Sequence, residues 1–262
     1  MLRYVVLLAV CGSLFIASAF GVEPLAYRAA LNFSAPEAHQ AAAADERFFY
    51  AITNVKVAQY DRVTGKQVAV SHGPAKHLNS GFFWEGKLYC AHSNYPAQPE
   101  RSELKVLNLA SMELSSSHDF GDFGGSLTWA VCKNGAWYCN FARYGEHNRE
   151  TFLVRFDDSW QEQARWCYPA EVLDKLGTYS LSGGVWLDDA WLVTGHDDRV
   201  IFKLREPAQG GCLEYVETIA VPFTGQGIAL DPVSKGLVGI DRRERKVIFA
   251  QRASARADGQ EQ

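Results

Sequence analysis

Short apolar runs of about four to eight residues, broken by turn residues, fill most of the chain. They are rich in Val, Ile, Leu, Phe and Tyr, which favours strands over helices. Asn134-Gly135, between Trp129-Ala130-Val131-Cys132 and Trp137-Tyr138-Cys139, is a strong two-residue hairpin signal. It predicts Trp137 opposite Cys132 and Ala130 opposite Cys139. Residues 179–198 show the recurring plan in full: a polar start, a strand, an Asp188-Asp189 turn, a second strand and a His196-Asp197-Asp198 loop. The polar starts Gln40, Asn79, Thr128, Ser182 and Gln226 lead in the same way to Tyr50, Tyr89, Tyr138, Leu192 and Val238. Uneven repeats on the order of 40–50 residues, each with about four strands, are the signature of propeller blades.

Third and fourth strands follow at 55–61 and 67–71, 104–107 and 113–117, 152–156 and 163–167, and 200–204 and 213–221. The last unit shows only three strands, at 227–230, 237–240 and 246–250. Residues 25–33 are left over and can supply its outer strand, closing the ring and removing an unpaired edge. The fold expected is all-β, a five-bladed β-propeller of four-stranded antiparallel blades, in one domain over 24–251 with a disordered tail over 252–262. The segment 169–177, opened by Pro169 and closed by Gly177, reads as the one helix.

Residues 1–19 read as an export signal, with Arg3, two apolar stretches and a small-residue end at Ala17-Ser18-Ala19. As a membrane anchor the stretch is short and interrupted by Cys11-Gly12-Ser13. No later run approaches the ~18 apolar residues of a spanning helix, so no transmembrane anchor is expected after signal removal. The protein is therefore expected in the periplasm or outside the cell. With 26 basic and 30 acidic residues, the balance argues against a nucleic-acid partner. Asn32-Phe33-Ser34 is a glycosylation sequon, relevant only in a eukaryotic secretory host. Past the signal stand Cys90, Cys132, Cys139, Cys167 and Cys212, an odd set that cannot pair completely. Buried Cys often acts as a small hydrophobe, and the hairpin register keeps Cys132 from Cys139. Their spacing matches no structural zinc site.

In a propeller, the loop leading into a blade's first strand and the loop joining its second and third strands share one face. The lead-in loops carry His39, Gln40, His77, Asn79, Thr128, Trp129, Ser180, Ser182, Thr224 and Gln226. The second-to-third loops carry Asn54, His92, Ser93, Asn94, Asn140, Arg143, Tyr144, His196, Asp197, Asp198, Asp241, Arg242 and Arg243. Loops on a rigid scaffold concentrate binding residues, and a small-molecule ligand at this mouth is the expectation. His196 beside Asp197 can act as a tuned acid or base, or simply sit in an exposed turn. Arg143 with Tyr144 can clamp a carboxylate, or be a solvated pair. The polar starts Gln40, Asn79, Thr128, Ser182 and Gln226 share one register, for which satisfying backbone groups is the stronger reading. Trp129 can stack on a ligand or fill core.

The expected catalytic set is His196, Arg143 and His92. Ligand contacts are expected from His39, Gln40, His77, Asn79, Asn94, Trp129, Tyr144, Ser182, Asp197 and Gln226. Four loop histidines suit a shared metal in principle, but no metal and no cofactor is assigned. A protein partner is left open. Asp119-Phe120-Gly121 and Asp122-Phe123-Gly124 lack the context of a kinase triplet, and Ser182 lacks a nucleophile elbow.

The phrases Ala35-Pro36-Glu37-Ala38-His39-Gln40, Leu88-Tyr89-Cys90-Ala91-His92-Ser93-Asn94, Thr194-Gly195-His196-Asp197-Asp198 and Pro222-Phe223-Thr224-Gly225-Gln226-Gly227 resemble exported bacterial propellers of the cycloisomerase-like kind. In layout the chain is also similar to plant-type glutaminyl cyclotransferases, which are five-bladed. The first resemblance implies an isomerase or lyase that adds a carboxylate to an alkene, with a cationic clamp and a proton donor. Arg143 and His196 suit those roles. The competing expectation is a non-catalytic binding module of the cell envelope.

Overall fold

A computed structural model describes residues 26–209 and 211–253, and they form five four-stranded antiparallel sheets. After an opening strand β1 (Tyr27–Ser34), blade I holds β2 (Ala41–Ala44), β3 (Phe48–Ile52), β4 (Val57–Asp61) and β5 (Gln67–Val70). Blade II holds β6 (His77–Trp84), β7 (Lys87–Ser93), β8 (Ser102–Asn108) and β9 (Glu113–Gly121). Blade III holds β10 (Ser126–Lys133), β11 (Ala136–Ala142), β12 (Phe152–Phe156) and β13 (Glu162–Cys167). Blade IV holds β14 (Gly183–Leu187), β15 (Ala190–Thr194), β16 (Val200–Arg205) and β17 (Glu214–Ala220). Blade V takes β18 (Ala229–Leu230), β19 (Leu237–Asp241) and β20 (Lys246–Arg252), with β1 as its outer strand. Register from Tyr27↔Arg252 to Ser34↔Lys246 closes the ring as the strand count predicts.

Packing between the blades differs around the ring. The inner strand β2 is four alanines, all buried, because five inner strands crowd the centre. Elsewhere, large rings fill the space between and within blades. Phe49 stacks on Phe33 at 4.8 Å and on Tyr60 at 4.9 Å, while Trp129 meets Trp191 at 5.6 Å. Each such ring contributes about 1.5–3 kcal/mol by burial. Trp129 fits because Gly184 leaves it room: a Cβ there would stand 2.6 Å from the indole. The β10–β11 hairpin pairs Cys132 with Trp137 and Ala130 with Cys139, over a turn with Asn134 at φ 53 and Gly135 at φ 77. Both positive values belong to a mirror-image hairpin turn.

Several details depart from the sequence pattern. β18 has two residues rather than four. Gly227 leaves the blade V ladder and bridges Ala41 of blade I in parallel, its N–H donating to Gln40 O at 2.9 Å. The expected helix is the single turn α1 (Ala170–Leu173), followed by turns to Gly177 at φ 60. β20 continues through Arg252, into the expected tail. There its guanidinium pairs with Asp188 and Ala253 N donates to Ala26 O at 2.9 Å. Cys167 and Cys212 form a disulfide joining the outer strand of blade III to the β16–β17 loop of blade IV. Cys90, Cys132 and Cys139 are free and buried. The expected export signal and residues 254–262 lie outside the described residues. Among those described, no helix is long and apolar enough to cross a membrane.

Candidate functional site

The polar starts of the inner strands form an inter-blade belt of hydrogen bonds. Asn79 and Thr128 sit where the registers of β6–β7 and β10–β11 slip, so each side chain is re-aimed sideways. Asn79 Nδ2 donates to Leu127 O at 2.8 Å, from blade II to blade III. Thr128 Oγ1 donates to Leu181 O at 2.7 Å, from blade III to the lead-in of blade IV. Asn140 Nδ2 donates to Thr128 Oγ1 at 2.7 Å, and its Oδ1 accepts from Tyr168 Oη at 2.7 Å. Thr194 Oγ1 donates to Gln226 O at 2.6 Å. Gln40 Nε2 donates to Asn54 Oδ1 at 2.5 Å, and Leu78 N donates to Asn54 O at 2.8 Å. Ser182 is the weakest member, donating at 3.4 Å to Ser180 O in its own loop. Gln226 is held at φ 124, a conformation L-residues rarely adopt. Its N donates to Gly195 O and its Nε2 to His196 O, both at 3.0 Å. Such strain costs on the order of 1–3 kcal/mol and tends to persist where surroundings over-determine it.

Above this belt, three loops from three blades converge on Arg242. Its NH1 donates to His196 Nε2 at 2.9 Å and its NH2 to His39 Nε2 at 3.2 Å. Arginine can only donate, so both imidazole Nε2 atoms accept and neither carries a proton there. The neighbouring carboxylate Asp241 is engaged by Arg199 at 2.5 Å, and no carboxylate pairs with Arg242 among the described residues. His196 stacks on Tyr179 with ring centroids 3.8 Å apart and 7° between planes. Its Nδ1 stands 2.8 Å from Asp197 Oδ2, yet it has no hydrogen-bond partner. The carboxylate is out of line with the ring N–H, so the pair is a close polar contact between a neutral ring and a carboxylate. Burial, then the cations Arg242 and Arg245, hold the His39 pKa below the usual histidine value. Burial and Arg242 do the same to His77.

The remaining predicted residues fall in different places. His77 packs edge-on against Tyr95 at 5.5 Å, and Tyr95 meets Tyr144 at 5.2 Å, forming an aromatic rim on blades II and III. Burial pushes the Tyr144 hydroxyl well above its ordinary range. His92 is only 5% exposed, and its Nε2 accepts the Lys76 N–H at 2.9 Å. Burial, then Lys105, lowers its pKa to about 4. Asn94 closes its own loop, donating to Pro99 O and accepting from Arg101 N at 2.8 Å each. Trp129 is 1% exposed, in the core rather than at a surface a ligand can reach. Arg143 donates to Gly124 O at 2.9 Å and approaches Glu150 at 3.4 Å, so the cation at His196 is Arg242 and not Arg143. Asp197 is largely exposed.

A cavity of about 200 Å³ opens beside Tyr179, His196 and Asp197, with Lys175 on its wall. A larger one of about 530 Å³ lies on the opposite face, lined mainly by carbon from Phe82, Phe83, Leu187 and Leu230. Among the described residues no group of three or more His, Cys, Asp or Glu is arranged to hold a metal ion. Of the four loop histidines, His39 and His196 are turned to a cation rather than to a common centre.

No protein-family model and no curated protein matches the chain. The cycloisomerase-like resemblance therefore gains no support from either comparison. Among solved structures, the chain is similar to a Myxococcus xanthus glutaminyl cyclase. The TM-score is 0.62 at 10% identity, over 87% of this chain and 97% of that one. At that identity the likeness shows the fold, a β-propeller, and nothing of the site. A chain of a mitotic checkpoint complex gives a TM-score of 0.45 at 9% identity, over 78% of this chain and 73% of that one, too little to argue from.

Proposed function

We propose that the chain is an exported propeller that takes a small carboxylate at the channel mouth, with Arg242 as the anion anchor. The observation that carries this reading is the environment of Arg242. Its guanidinium is half-buried and is held by two neutral imidazoles instead of a carboxylate. A cation kept there without a partner charge is suited to receive one, and a guanidinium fork matches a carboxylate bidentately. Export is supported by the Cys167–Cys212 disulfide, a bond characteristic of oxidising compartments.

The same parts suit an isomerase or lyase. Arg242 would hold the carboxylate, and His39 or His196 would move a proton nearby. Arg242 takes the clamp role for which Arg143 stood in the sequence. That the Myxococcus protein is named a cyclase is analogy at the level of fold alone. One observation favours the alternative of a non-catalytic binding module: both Nε2 atoms are engaged by Arg242, leaving neither free as a base in this state.

Calorimetric titration with malonate tests the reading. Losing a charge-assisted hydrogen-bond pair is worth roughly 1.5–3 kcal/mol, or about ten- to hundredfold in affinity. Arg242→Gln should weaken binding by that factor, and Arg143→Gln should leave it nearly unchanged. Equal affinity in all three proteins would move the site away from Arg242.

A further inference from the structure

We propose that a carboxylate binding at Arg242 is coupled to uptake of one proton by the imidazole pair His39 and His196. The proposal rests on the carboxylate reading above and adds what the site does to its own protons.

Both Nε2 atoms accept from one guanidinium, at 3.2 Å and 2.9 Å. While those contacts last, a proton on either Nε2 would face a donor N–H head-on. An arriving carboxylate changes this in two ways. It competes for the terminal N–H groups of Arg242, which can release an imidazole nitrogen. It also adds a negative charge beside the cation whose field disfavours imidazolium. The released Nε2 can then take a proton from solvent and donate it to the bound carboxylate. No other bond is made or broken: the proton comes from the buffer and ends on nitrogen.

The charged surroundings point the same way. His39 faces the cations Arg242 and Arg245, the neutral Asn54 and the imidazole of His77. His196 faces Arg242, the Tyr179 ring and Asp197, with Lys175 and Asp198 lining the cavity beside it. Cations outnumber anions around the pair, so an added anion finds a local charge to balance. The depressed pKa of His39 means the free ring is mostly unprotonated at pH 7, leaving room for uptake. Binding should tighten as pH falls from 8 toward 6, by at most about tenfold per unit for one linked proton.

The experiment is malonate calorimetry at pH 7 in Tris and in Bis-Tris, whose ionisation heats differ. The expected result for the intact protein is an apparent enthalpy that depends on buffer, reporting uptake of a substantial fraction of one proton per site. His39→Gln and His196→Gln should each reduce that uptake while binding remains measurable. Binding with no buffer dependence would overturn the coupling and leave the carboxylate site standing. Uptake unchanged in both variants would overturn the assignment to these rings. No malonate binding to the intact protein would overturn the coupling together with the reading beneath it.

Discussion

Arg242 and His39 stand 203 positions apart in sequence and 3.2 Å apart in space. One lies in the loop between β19 and β20 of blade V, the other in the loop leading into blade I. Their contact exists only because β1 completes blade V and brings the last blade against the first. The candidate site is thus a product of ring closure rather than of any local motif.

Deleting residues 27–34 removes β1 from the sheet it completes. Blade V then loses its outer ladder and the Phe33 ring that stacks on Phe49. The expected cost is several kcal/mol, comparable with the whole margin of a domain. At about 2–4 °C per kcal/mol for a domain of this size, thermal unfolding should show it clearly. An unchanged melting curve would mean that closure contributes little.

The repeat was legible because strand period and turn chemistry recur in register, and the Asn134-Gly135 hairpin formed as read. The inter-blade belt was legible for the same reason, since Asn79 and Thr128 stand at equivalent starts. Arg242 was harder to see. In Arg242-Arg243-Glu244-Arg245 it reads as one charge in a solvated turn, and nothing local sets it apart. Its partners come from blades IV and I, so only the closed ring distinguishes it from Arg143. The Cys167–Cys212 pair was hidden likewise, because it joins separate blades through a loop whose path the strand pattern does not specify. Trp129 gives no local sign of burial, because its fit against Gly184 is a property of the next blade.

His92 makes a pH prediction with a definite sign. Its folded pKa is about 4, below the ordinary 6.5, through burial first and Lys105 second. The unfolded chain therefore binds the proton first as pH falls. Stability is full above 6.5 and is lost progressively toward 4, by up to about 3 kcal/mol. His92→Gln keeps an acceptor for the Lys76 N–H and removes the titration. Denaturant midpoints at pH 7 and pH 4.5 should therefore differ less in the variant than in the parent protein.

Thr128→Val tests the belt. The substitution is close in shape but leaves Leu181 O and Asn140 Nδ2 without their 2.7 Å partner. A buried group left unpaired costs about 1–3 kcal/mol. Chemical denaturation should show that loss. A neutral result would mean that neighbouring groups or water replace the hydroxyl.

The disulfide closes a loop between residues separated by 45 positions. On loop entropy alone, it stabilises the folded chain by about 4 kcal/mol. The double variant Cys167→Ser, Cys212→Ser should unfold at lower temperature. Alkylation of the denatured, unreduced protein should label Cys90, Cys132 and Cys139 and spare Cys167 and Cys212. Labelling of Cys167 would show the bond absent.

The most direct test of the carboxylate site is a crystal structure of the protein soaked in malonate. The account predicts density for a carboxylate within hydrogen-bond reach of the Arg242 guanidinium, between the loops that carry His39 and His196. Density only in the carbon-lined cavity beside Phe82 and Phe83, or at Arg143 with none at Arg242, would contradict it.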